Sequence, residues 1–132
     1  MQRSNGADGA SVHVIDHDSR RRAEISRVLI ARGFHAEIHE DAAEFFRLAP
    51  DRALVLLIER ADSDVLADFQ RSAANKGRYY PVAVYAEAPQ PELVVRAMRA
   101  GAIDYLRKFD ARSTSDAMRI GIYADLWEES RS

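Results

Sequence analysis

Asp16, Glu59 and Lys108 each stand at or just past the end of a short apolar run, and Ala86 holds the same place after a fourth. "SVHVI" leads into Asp16, with His17 and Asp18 directly behind it. "ALVLLI" leads into Glu59 without any polar alternation, which marks a strand covered on both faces. A carboxylate at the end of such a strand is a reactive group, a ligand, or the first solvated residue beyond it. "PVAVY" ends at Ala86, and "AIDYL" runs out shortly before Lys108.

The elements that position these residues follow from periodicity and punctuation. "DSRRRAEISRVLIARG" carries Ile25, Val28 and Leu29 at helical spacing and stops at Gly33. "FHAEIHE" alternates Phe34, Ala36 and Ile38 against His35, Glu37 and His39, an edge strand whose histidine face is expected to be wet. "DAAEFFRLAP" predicts a short helix with Asp41 near its start. A helix over 64–76 closes at Gly77, and "PELVVRAMRAG" predicts another with Pro91 in its first turn. "STSDAMRIGIYADLWEE" predicts a final helix with Thr114 or Ser115 as N-cap. Five strands alternating with five helices give an α/β fold, a doubly wound five-stranded parallel sheet with helices on both faces. In such sheets functional groups gather beyond the carboxyl ends of the strands, where strand order reverses. Asp16, Glu59, Ala86 and Lys108 lie at those ends.

Composition narrows the function classes. A chain of 132 residues, 47% hydrophobic, supports one domain with one core. We read 1–10 as a flexible lead, 11–129 as the domain and 130–132 as a tail. The net charge of −2 creates no field that favours nucleic acid or an anionic membrane. Arg20, Arg21 and Arg22 follow Asp16 and Asp18 and read as a solvated helix face. With no cysteine, disulfides, thiolate zinc sites and cysteine nucleophiles are excluded. No apolar run reaches the roughly 18 residues of a membrane span. A cytoplasmic location is expected. The four histidines show no spacing that converges on a transition-metal site, and His35 and His39 are expected to be solvated.

"VHVIDHDSRRR" and "RAMRAGAIDYLRK" together resemble the receiver domain of two-component response regulators, CheY-like and flavodoxin-like in fold, over Val12 to about Glu129. The second segment is the more specific, because it places Gly101, Asp104, Tyr105 and Lys108 together. The resemblance implies a phosphorelay site. In that family two acids after the first strand and an acceptor aspartate after the third hold Mg²⁺ through oxygen. The acceptor attacks a phosphoryl group while the metal and a lysine neutralise charge. A Ser or Thr after the fourth strand bonds the phosphoryl oxygen, and an aromatic on the fifth swings inward.

Here Asp16, Tyr105 and Lys108 match, and several other positions depart. His17 replaces the second acid, and a neutral imidazole is a poor ligand for a hard cation. Asp18 comes one residue later, with its side chain on another heading. Glu59 stands in the acceptor seat with one extra methylene, which moves the nucleophile about an ångström and can cost roughly 100-fold. Ala86 cannot donate the hydroxyl hydrogen bond. Phe109 follows Lys108 where the family usually has proline, and a non-proline residue favours trans by roughly 2.5–4 kcal/mol. The pattern is that of a degenerate receiver.

Several roles stay open at this level. Glu59 is a solvated strand end, an ion-pair partner of Lys108 imitating a phosphorylated acid, or a working acceptor. Asp16 and Asp18 serve the helix N-terminus or act as the candidate Mg²⁺ ligands. No cofactor is expected otherwise, and no catalytic residue. Tyr105 is a switch aromatic or ordinary packing. The resemblance implies that the face of the fourth helix, fifth strand and fifth helix mediates homodimerisation or docking of a protein partner. Candidate interface residues are Arg96, Arg99, Asp104, Arg107, Tyr123 and Trp127. The expectation is a non-enzymatic signalling domain for two-component-type transduction or transcription regulation. It acts by phosphorylation-independent contact with protein, with no direct nucleic-acid or membrane contact. The alternatives are a phosphoacceptor using Glu59, Asp18 or Asp62, and a pseudo-receiver that senses a small ligand.

Overall fold

The unbroken run Ala53–Ile58 forms strand β3, and every residue in it is buried, as continuous aliphatic sequence requires when helices cover both faces. The computed structural model describes residues 11–107 and 118–123. Lys108, Phe109, Thr114, Ser115, Trp127 and the expected lead and tail lie outside the described residues. Around β3 stand β1 (Ser11–Ile15), β2 (Ala36–His39), β4 (Val82–Ala86) and β5 (Asp104–Arg107). All pairings are parallel, in the order β2-β1-β3-β4-β5. The strand order therefore reverses between β1 and β3, whose carboxyl ends carry Asp16 and Glu59.

Helices α1 (Ser19–Ala31), α2 (Ala42–Leu48) and α3 (Val65–Asn75) each begin behind an aspartate whose side chain accepts a backbone N–H of the first turn. The caps are Asp18, Asp41 and Asp64. Helix α4 (Pro91–Arg99) begins instead with proline at its first position. Residues 118–123 form a further helical segment, α5. On one face of the sheet, Ile25, Val28 and Leu29 of α1 and Ile120 of α5 pack on Val12, Val14, Leu54 and Leu56. On the other, Phe45, Phe46, Leu66, Phe69 and Ala97 pack on Ile15, Val55, Leu57, Val82 and Val84. Gly121 allows α5 to close on the first face: a Cβ there would lie 2.9 Å from the Phe34 ring.

Strand β2 departs from the expected alternation. Ile38 is 44% exposed, whereas His39 is 4% exposed. The edge strand leans its histidine face against Phe45 of α2, which meets the rings of both His39 and His13 edge-on. His13 Nδ1 and His39 Nε2 lie 2.9 Å apart and share a hydrogen bond. Burial pushes His13 down to about 4 and lowers His39 as well, so both imidazoles are neutral near pH 7.

Asp104 ties β5 to α5. Its Oδ2 accepts from Arg119 Nη2 at 2.7 Å and from the Tyr123 hydroxyl at 2.8 Å. Desolvation pushes the Asp104 carboxyl up, but the hydrogen bonds from Arg119 and Tyr123 outweigh it, and the net shift is downward. A carboxylate held below its unfolded value contributes stability that is complete above about pH 4 and disappears as pH falls through the folded value. Asp104→Asn is expected to lower unfolding free energy by about 1–3 kcal/mol at pH 7. It should also flatten the loss of stability below pH 4, both read from urea titrations across pH.

Candidate functional site

The switch point between β1 and β3 contains a carboxylate sealed from solvent. Asp16 has no exposed surface, and each of its side-chain oxygens accepts two donors. Oδ2 accepts from Arg21 Nε at 2.5 Å and from the Tyr85 hydroxyl at 2.6 Å. Oδ1 accepts from Arg21 Nη2 at 2.8 Å and from the backbone N–H of Asp18 at 2.9 Å. Arg21 thus grips Asp16 through two parallel bonds, the geometry that suits a planar guanidinium. The bond to Asp16 holds the Arg21 guanidinium more firmly protonated than usual. Burial, and then the Asp16 charge, push the Tyr85 phenol above its ordinary range. Arg22 Nη1 adds a bond to the Asp16 carbonyl at 2.7 Å.

These contacts revise one expectation. Arg21 and Arg22 are not simply a solvated helix face: the Arg21 side chain is only 15% exposed. Asp18 serves as the N-cap of α1, accepting the Arg21 N–H at 3.0 Å, and supplies its own N–H to Asp16.

Glu59 lies across the switch point with its side chain 5% exposed. Its backbone N–H extends the β3–β4 ladder to the Tyr85 carbonyl at 2.8 Å. Its carboxylate meets Arg96 of α4, whose Nη2 lies 2.8 Å from Oε2. The same nitrogen contacts the carbonyls of Arg60 at 3.1 Å and Ser63 at 2.9 Å. Glu59 is therefore paired to α4, by an arginine expected at the outer interface. Its expected partner Lys108 lies outside the described residues.

A cleft of about 220 Å³ brings His17, Arg21, Glu59, Ala86, Glu87 and Tyr105 together. The sequence placed His17, Glu59 and Ala86 at or just past strand ends, and Tyr105 within the fifth strand. His17 is half exposed, and its Nδ1 lies 3.3 Å from Arg60 Nη1. Ala86 presents only a methyl group to the cleft. The Tyr105 hydroxyl is buried without a hydrogen-bond partner among the described residues. Burial, with the Glu59 charge behind it and Arg96 opposing, pushes Tyr105 up to about 12.

The residues present do not fit a Mg²⁺ ion of the kind the resemblance implies. Such an ion needs anionic oxygens with free lone pairs. Asp16 has both oxygens doubly engaged, His17 offers imidazole, and Glu59 is bound to Arg96. A guanidinium already occupies the cation's side of Asp16.

Of the other surface candidates, Arg99 and Arg107 are exposed, whereas Asp104 and Tyr123 spend their polar groups on each other and on Arg119. Among the described residues, no helix is long and apolar enough to cross a membrane.

In fold and strand order the chain is similar to receiver domains of response regulators. No family model matches the chain. It is 28% identical over 100 residues to the transcriptional regulatory protein FixJ of Rhizobium meliloti (strain 1021), covering 74% of this chain and 49% of FixJ. The chain thus spans about half the length of that curated relative. The crystal structure of FixJ-N superposes with a TM-score of 0.69 at 24% identity, covering 90% of this chain and 93% of the other. An atypical orphan response regulator, described as revealing a new phosphorylation-independent regulatory mechanism, matches with a TM-score of 0.68 at 26% identity. That match covers 89% of this chain and 98% of the other.

As partners of the buried acids, Tyr85, Arg21 and Arg96 escaped sequence reasoning. The one signal was Tyr85 itself, a hydroxyl inside an otherwise aliphatic strand, which must find a partner when buried. If the guanidinium is what makes a buried Asp16 tolerable, Arg21→Met is expected to destabilise the fold by about 3 kcal/mol. Tyr85→Phe, which removes one of four donors, is expected to cost about 1–2 kcal/mol. Guanidinium chloride unfolding of both variants beside the parent checks the order.

Proposed function

We propose that this receiver-like domain signals by phosphorylation-independent contact with protein, without enzymatic activity and without direct contact with nucleic acid. One observation carries the reading: the buried Asp16 is neutralised by the chain's own Arg21 and further hydrogen-bonded by Tyr85. The charge balance that a phosphoryl-transfer site leaves to a metal ion is here built into the side chains. Glu59, in the acceptor seat, is likewise engaged by Arg96.

The implied mechanism is a fixed state rather than a switched one. Arg96 joins the end of β3, the loop after it and the body of α4 through one guanidinium. An anionic group in the acceptor seat thereby sets the position of α4 without phosphate. Ala86 supplies no hydroxyl with which Tyr105 could couple to a phosphoryl group. The outer surfaces of α4 and α5 carry Val95, Met98, Met118 and Ile122 exposed, with Arg99 and Arg107 among the exposed cations nearby in sequence. Apolar side chains with flanking charge suit protein docking or self-association. The relative described as phosphorylation-independent supports the same reading by analogy.

Acetyl phosphate with Mg²⁺ is expected to leave the intact mass of the protein unchanged. A stoichiometric gain of one phosphoryl group overturns the proposal, and its loss in Glu59→Gln, Asp18→Asn or Asp62→Asn identifies the acceptor. Arg96→Ala leaves Glu59 largely buried without its cation. Since Arg96 is itself about one-third exposed, a cost of about 2 kcal/mol is expected rather than the 3–5 of a fully buried pair. Arg96→Ala and Glu59→Gln should both alter sedimentation or partner affinity. Folded variants that behave like the parent in both measurements reduce the pair to a structural role.

A further inference from the structure

Strands β1 and β2 pair with His13 opposite Glu37 and Ile15 opposite His39, so His13, Glu37 and His39 project from one face of the sheet edge. One ligand atom from each of the three lies within 4.8 Å of the other two. The imidazoles are buried, while the Glu37 side chain is 39% exposed and opens the cluster toward solvent. His35 Nε2 lies 3.2 Å from Glu37 Oε2, the outer contact that orients a ligating carboxylate. Phe45 packs edge-on against both imidazoles and holds their planes nearly parallel.

We propose that His13, Glu37 and His39 form a binding site for a borderline divalent transition-metal ion of the Zn²⁺ class, which clamps the edge strand β2 to β1. Two imidazoles and one carboxylate are a donor set that Zn²⁺ takes with a fourth position left for water. Hard cations such as Mg²⁺ disfavour it. Two ligands at about 2.0–2.1 Å from a tetrahedral ion stand about 3.4 Å apart. His13 Nδ1 and His39 Nε2, at 2.9 Å, need to part by about half an ångström. The proton they share moves to the far nitrogen of the donor ring, a change of tautomer that leaves both imidazoles neutral with both inner lone pairs free. The site lies on the β1–β2 edge and uses no side chain of the Asp16 and Glu59 cluster.

The test uses the untagged full chain, stripped with EDTA and titrated with ZnCl₂ by calorimetry and thermal unfolding. One Zn²⁺ per chain is expected. Tm should rise by about 5 °C or more at a hundredfold excess over Kd, with no rise in MgCl₂. CoCl₂ should give the visible absorption of a low-coordinate N/O site. Glu37→Gln, at a partly exposed position, should keep the metal-free Tm and weaken Zn²⁺ binding at least about 10-fold. His39→Gln should weaken it further. The absence of stoichiometric Zn²⁺ binding overturns the proposal. So does unchanged affinity in a folded Glu37→Gln variant, which would move the ion to the exposed histidines.

Discussion

A carboxylate with no solvent contact, Asp16 at the end of β1, is the constraint around which the functional end of this domain is arranged. A buried ion is tolerable only when charge and hydrogen bonds replace the water it has lost. Here the replacement comes from three elements at once. Arg21 reaches back from the first turn of α1, Tyr85 reaches across from β4, and the Asp18 N–H closes the loop between. The contacts fix how α1 leaves β1 and how β4 sits two strands away. Any ligand that wants Asp16 must therefore first displace a bidentate arginine.

A second buried acid repeats the solution on the other side of the switch point. Glu59 takes its cation from α4, and the same guanidinium contacts two carbonyls of the loop after β3. Both acids at this end of the sheet are thus already paired with an arginine. Tyr105 lies beside the Glu59–Arg96 pair with a buried hydroxyl that has no hydrogen-bond partner among the described residues. The edge of the sheet carries separate chemistry, a neutral histidine pair beside Glu37.

Much of this architecture was legible in the residues. The all-apolar β3, the helix caps at Asp18, Asp41 and Asp64, the stop at Gly33 and the proline that opens α4 are local signals with local causes. The strand ends put Asp16, Glu59, Ala86 and Lys108 at one rim, because in a parallel α/β sheet every carboxyl end faces the same way, and of these Lys108 lies outside the described residues. His39 was misplaced because alternation tells which residues share a face but not which face a helix will cover. Phe45 of α2 covers the histidine side, and Ile38 is left at the uncovered end of the other.

Fold class, the rim of strand ends, the missing hydroxyl at Ala86 and the missing second acid at His17 follow from residue type and periodicity. The partners of the buried acids follow from the fold. Arg21 could have been solvated and Arg96 could have stood on the outer surface, as a charge run and an amphipathic helix suggest. Each instead turns inward because a carboxylate just past a strand end is buried within reach, 5 residues away for Asp16 and 37 away for Glu59. Which cation neutralises a buried acid is set by distances across the fold, and no spacing along the chain encodes them.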